Sequence, residues 1–161
     1  MDVFGIDPGS TVTGWGVVRR ARGRLHLLGC GMVKTRSADP MGARLLAIHD
    51  GLVAAIEQHP VDAVAIEAIF RHRSSESALR LGQARGAALM AAARCGHEAV
   101  PYNPMTVKKT VGAHGRADKE GVAKMVRMLL GAHLDVPGDV TDALAIAITH
   151  CRHARLVAAR G

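Results

Sequence analysis

Aromatic side chains are scarce in this sequence: Phe4, Trp15, Phe70 and Tyr102 are the whole set. A protein that binds single strands along an aromatic platform needs more of them, so any base stacking here rests on one residue or so. Cysteine is equally sparse. Cys30, Cys95 and Cys151 are odd in number, far apart and without a C-x-x-C pair. That excludes a disulfide framework and a zinc knuckle, and fits free thiols in a reducing cytoplasm. No apolar run approaches the roughly 20 residues a membrane span needs. The opening MDVFGIDPGS carries an acid at once, unlike a signal peptide. Internal repeats and low-complexity linkers are missing, as are a G-x-x-x-x-G-K-[ST] phosphate loop and a G-x-S-x-G serine. What remains is a soluble cytoplasmic protein whose 161 residues suit a single domain, 1–161, with a full hydrophobic core.

Acidic residues are also in deficit. The formal net charge is +7, and the excess is uneven. Residues 1–80 hold ten basic and eight acidic side chains, whereas residues 81–161 hold eleven and six. A basic chain of this size points to a polyanionic partner such as nucleic acid, although basicity also aids solubility.

The pattern along the chain predicts a mixed α/β fold. VFGIDP (3–8) is a short apolar run ended by Pro and Gly, as expected of a buried strand. TGWGVVRR (13–20) and LHLLGCGMVK (25–34) are two further strands joined by a turn at Arg22-Gly23. Leu45, Ile48, Leu52, Val53 and Ile56 recur at helical spacing within 39–58, and His59-Pro60 ends that helix. VDAVAIE (61–67) is a strand closing on Glu67, and 75–95 is a long Ala-rich helix capped at Ser74 or Ser75 and stopped at Gly96. A short strand at 97–101 and helices at 104–112, 118–131 and 139–157 complete the order. The strand–helix–strand crossover implies some parallel pairing. Gly82 and Gly86 stand four apart in the long helix, at about 1 kcal/mol each. Close approach of another backbone, from the sheet or from a second subunit, would offset that cost.

Four acids sit in unusual places. Asp7 ends a buried strand at a tight turn, although Asp before Pro-Gly is also a common turn former. Glu67 ends the run Val64-Ala65-Ile66, where a carboxylate is out of place unless it faces solvent. Asp139 and Asp142 lie three apart at a helix start, a position that also suits capping and the macrodipole. The helix beyond them, Ala143-Leu144-Ala145-Ile146-Ala147-Ile148, is apolar nearly all round, so their end is expected against the sheet. Four carboxylates in one cleft repel each other, and a hard divalent cation relieves that repulsion. Two such ions about 4 Å apart serve phosphodiester hydrolysis. His150-Cys151-Arg152-His153 is one helical turn without a partner cluster, and a surface or interface role is expected rather than a metal site.

Together these segments resemble the RuvC family of Holliday-junction resolvases. GIDPGSTVTGWGVV is similar to that family's opening motif, AIEAIF to its second acidic strand, LRLGQARGAAL to its long helix and DVTDALAIAITH to its last one. The resemblance spans roughly residues 1–153 and implies a ribonuclease-H-like mixed five-stranded sheet flanked by helices. It implies a homodimer that makes paired, symmetric nicks in four-way DNA junctions during homologous recombination and repair. It also implies magnesium, two ions per site, with manganese able to substitute. By motif position Asp7, Glu67, Asp139 and Asp142 are the catalytic and metal-holding acids, with Asp139 the more exchangeable of its pair. Phe70 corresponds to an aromatic that stacks on an unpaired base, and Lys108 and Lys119 to basic positions near the scissile phosphate. Arg71 and Arg73 are further phosphate contacts on this reading, and Lys119, His114 or water would relay a proton to the leaving oxygen. The long helix would lie at the dimer interface. The expected partners are junction DNA, a second copy of the chain, and the junction-binding and branch-migration proteins of the same pathway. A related nuclease processing precursor ribosomal RNA shares the Asp-x-Gly opening, but the LGQARG helix and Phe70 argue against it. Sugar kinases and actin-like ATPases share that opening too, but need a second phosphate loop and a longer chain. A non-enzymatic junction binder would leave the acids unexplained.

Overall fold

A computed structural model describes residues 1–68, 74–112, 119–131 and 135–158. The strands are β1 (Asp2–Asp7), β2 (Val12–Ala21), β3 (Arg24–Lys34), β4 (Ala63–Glu67) and β5 (Ala99–Tyr102). The helices are α1 (Met41–Gln58), α2 (Ser75–Arg94), α3 (Pro104–Val111), α4 (Lys119–Leu130) and α5 (Gly138–Ala158). One sheet runs β3-β2-β1-β4-β5, antiparallel on the β3–β2–β1 side and parallel from β1 through β4 to β5. The five-stranded mixed sheet expected from the sequence is therefore present.

Turn chemistry sets the connections. Arg22 and Gly23 both take positive φ, 49° and 79°, which matches the twist of the β2–β3 hairpin. Ser74 caps α2 by accepting from the Ser77 amide, and Asn103 caps α3 by accepting from the Met105 amide.

Strand alternation sorts two cores. Phe4, Ile6, Val64 and Ile66 face α1 and α2, packing on Ile48, Leu52 and the alanines of α2. Val3, Val18 and Ala65 face the other way, toward α5, which α3 and α4 cover from outside. Because α5 is enclosed on all sides, Val140 and every residue from Ala143 to Ile148 are buried. This accounts for its lack of a polar stripe.

Asp7 and Glu67 share the α5 side of the sheet with Val3 and Ala65, by the same two-residue period. α5 reaches that side over small residues. A Cβ on Gly14 would lie 2.1 Å from the Asp139 carbonyl oxygen, and one on Gly5 would lie 2.1 Å from that of Ala143. The start of α5 therefore rests against the backbone of β1 and β2, beside Asp7.

Two sequence expectations are refined. A Cβ on Gly86 would meet nothing within 4 Å, so packing on the sheet does not explain that glycine. In the 150–153 turn Cys151 is fully buried and the other three are half-buried, and Tyr102 hydrogen-bonds His150 Nδ1 at 3.0 Å. His153 meets Thr110 at 3.2 Å, so this turn anchors α3 to α5.

Candidate functional site

The last residues of β1 and β4 bring two carboxylates side by side. Ile6 pairs with Ile66 in parallel register, and Asp7 and Glu67 follow one step later. Neighbouring strands lie about 4.8 Å apart, so these side chains project in parallel from adjacent strand ends. The backbone there is held from the opposite face. Arg85 of α2 donates to the Glu67 carbonyl at 3.1 Å, and the Ala68 amide donates to the Tyr102 carbonyl at 2.8 Å.

Asp142, in the first turns of α5, enters the same space. A cavity of about 240 Å³ is lined by Asp7, Glu67 and Asp142, by Lys108 and Lys119, and by the apolar Pro104, Val107, Val122, Ala145 and Ile146. Asp139 does not line this cavity, but its charge acts on Asp7, Asp142 and Lys119. All four acids expected from the sequence thus belong to one electrostatic unit, with two of the expected lysines at its edge.

Burial is the first cause of the field at Asp7. It pushes the carboxyl from its ordinary 3.8 to about 8, with Glu67, Asp142 and Asp139 adding repulsion and Lys119 opposing it. Asp142 is also raised, by burial first, while Lys119 acts against the rise. The Lys119 ammonium is raised in turn by Asp142. Lys119 Nζ stands 3.5 Å from Asp142 Oδ2, and its side chain is 83% exposed. Asp142 is only 27% exposed, so the lysine is the mobile partner of this pair.

The donor set is all carboxylate oxygen, which suits a small hard cation rather than a soft one. Among the described residues no three His, Cys, Asp or Glu side chains stand close enough to form a closed metal cage. A cation that keeps most of its waters needs only one or two direct carboxylates. The residues present fit such an ion.

Phe70, Arg71, Arg73 and His114 lie outside the described residues. The sequence reading missed Arg44, Arg85, and the glycines on which α5 sits. Arg44 carried a signal: it falls in the buried stripe of α1 with Ile48, Leu52 and Ala55.

Comparison with known proteins decides the family. The model for "Crossover junction endodeoxyribonuclease RuvC" matches residues 3–150. The chain belongs to the RuvC family. It is 46% identical to the RuvC of Myxococcus xanthus, across 96% of this chain and 82% of that one. The RuvC of Oleidesulfovibrio alaskensis is 47% identical, with 96% and 92% covered. Among solved structures, T. thermophilus RuvC in complex with Holliday junction substrate superposes with a TM-score of 0.88 at 39% identity. That alignment covers 97% of this chain and 96% of the other. The yeast mitochondrial Holliday junction resolvase Ydc2, at 13% identity and a TM-score of 0.65, shares the fold. The protein is accordingly an endonuclease that hydrolyses phosphodiester bonds, of a family whose chemistry implies a divalent metal. Among the described residues no helix is long and apolar enough to cross a membrane.

Proposed function

We propose that this RuvC-family protein resolves four-way DNA junctions in the cytoplasm, as a homodimer that nicks two opposing strands symmetrically during recombination and repair. The observation that carries this reading is the single cavity in which Asp7, Glu67 and Asp142 meet Lys108 and Lys119. It lies within a fold that superposes closely on a RuvC–junction complex.

Asp7, Glu67, Asp139 and Asp142 would hold Mg2+, for which a similarly hard ion such as Mn2+ would substitute. When bound, the cation supplies concentrated positive charge against the scissile phosphate and promotes ionisation of the attacking water. The residues do the rest. The raised carboxyl of Asp7 releases its proton as positive charge arrives, which completes the anionic cradle. Lys119, released from Asp142, turns to the phosphate together with Lys108. In the displacement, water oxygen bonds to phosphorus as one phosphodiester P–O bond breaks, and the proton it loses passes to solvent water. The leaving oxygen takes a proton from Lys119 or from water. The apolar wall of Val107, Val122 and Ile146 limits bulk water around these charges and strengthens them.

The second copy of the chain has a suitable surface on α2. Leu79, Gln83, Gly86 and Met90 form one stripe along that helix, opposite the buried alanines. Leu79 is 63% and Met90 65% exposed, and Gly86 leaves room for a partner backbone. A helix stripe of this kind suits a two-fold interface, in which each copy offers the same patch. Phe70 would supply the stacking that favours a junction over plain duplex.

The decisive test is cleavage of a synthetic four-way junction with Asp7→Asn. Cutting should be lost while binding in calcium or EDTA persists; nicking by this variant would show that the acids are misassigned.

A further inference from the structure

Arg44 is the one charged side chain among the described residues that the fold buries, at 6% exposure. Its guanidinium meets no carboxylate among those residues; its acceptors are the Ser10 carbonyl and the Thr35 hydroxyl. Nε and Nη2 both donate to Ser10 O, at 3.1 and 2.6 Å. Burying a cation without a counter-charge is unfavourable, and a hydrophobic side chain on this stripe would pack without that penalty. The arginine therefore calls for a reason beyond stability.

Its target suggests one. Ser10 lies three residues beyond Asp7, in the turn where β1 has run out of strand partners. The same carbonyl accepts from Thr35 Oγ1 at 2.6 Å, and the Thr35 amide donates to Thr11 O at 2.9 Å. Thr13 Oγ1 donates to Gly9 O at 2.8 Å. Gly9, Ser10 and Thr11 are thus each tied to a neighbouring element. Asp7 needs such a tether, because Glu67, Asp142 and Asp139 all repel it. An unanchored strand end would let its carboxylate swing away from theirs.

We infer that Arg44, assisted by Thr35, is a positioning residue that clamps the turn after Asp7 from the back of the sheet and so fixes the carboxylate for the reaction. This rests on the catalytic assignment of Asp7 made above. Arg44 touches neither DNA nor reacting atoms on this account. Misplacing a reacting group by about 1 Å can cost on the order of a hundredfold in rate.

The test uses the full chain, a synthetic four-way junction and four variants: Arg44→Met, Arg44→Lys, Thr35→Val and Asp7→Asn. Single-turnover rates in magnesium are compared with junction affinity in calcium over a salt series. Arg44→Met should lower the rate about ten- to a hundredfold with affinity within about twofold and an unchanged salt slope. Arg44→Lys should recover part of the rate, and Thr35→Val, nearly isosteric, should show a smaller loss of the same kind. Two results would overturn the inference. One is a normal rate per folded molecule with only a lowered Tm, which makes Arg44 structural. The other is weakened binding with a salt slope reduced by about one, which makes it a phosphate contact. Asp7→Asn separates the two levels: if it cuts like the parent chain, the catalytic assignment fails; if it is inactive while the Arg44 and Thr35 variants are normal, only the clamp fails.

Discussion

Asp7 is where the proposed chemistry and the stability of this protein meet. Its carboxyl sits near 8 in the fold against 3.8 ordinarily, so between those values the folded chain keeps a proton that the unfolded chain has released. Stability without metal must then fall as pH rises through that window, and the loss is complete above about 8. Asparagine at this position carries no charge to desolvate. In EDTA, Asp7→Asn should melt higher than the parent at pH 8 and about equally at pH 4, roughly 2–4 °C per kcal/mol relieved. Thermal melts across that range check this, and a parent chain as stable at pH 8 as at pH 5 would contradict it. Magnesium should raise the parent's Tm more at pH 8 than at pH 5, because the cation answers the same repulsion. Lys119 answers it only in part, being an exposed cation 3.5 Å from Asp142.

Elements carry these residues to one place, and the largest contribution comes from what is missing on the sheet. Gly14 leaves room for the Asp139 carbonyl, and that is how the start of α5 comes beside Asp7. Gly14→Ala should cost about 1–3 kcal/mol and reduce cleavage, as α5 is pushed from the acids. Gly86→Ala, at an open position in the subunit, should leave monomer stability unchanged or raise it by up to about 1 kcal/mol. Denaturant melts of both variants test this contrast, and equal effects would refute it. Much of this layer was legible in the sequence. Apolar runs marked the buried strands and helical spacing marked α1, because the central strands are covered on both faces and the turns carry Gly, Pro, Ser and Asn where φ or capping requires them. Asp7 and Glu67 stood out as acids ending apolar strands. Asp139 and Asp142 did not, since a helix start accepts acids for its own reasons. The all-apolar helix behind them and the family motif joined them to the strand ends, and the packing of α5 over Gly5 and Gly14 is the long-range contact that brings them there. Arg44 was hidden for a related reason: a lone arginine in an apolar stripe has no visible partner until the Ser10 turn is folded against it.

For the whole molecule, the charge of +7 and the carboxylate cavity serve different ends. Basicity brings a polyanion near, but the cavity by itself distinguishes only a phosphodiester from other bonds. Choice of a junction must come from geometry, which two active sites held at a set distance would supply in the proposed dimer. The α2 stripe is the surface proposed for that pairing. Met90→Glu places a charge on it and should shift the protein toward monomer in sedimentation, with junction cleavage lost while the subunit stays folded. A dimer that survives Met90→Glu would move the interface elsewhere. The most direct test of the account remains the reaction itself: magnesium-dependent cleavage of a four-way junction, a duplex and an RNA of matched sequence, by the parent chain and Asp7→Asn. Paired nicks are expected in the junction alone, and none by Asp7→Asn despite intact binding in calcium. Cleavage of the junction by Asp7→Asn, or equal cutting of duplex or RNA by the parent, would contradict it.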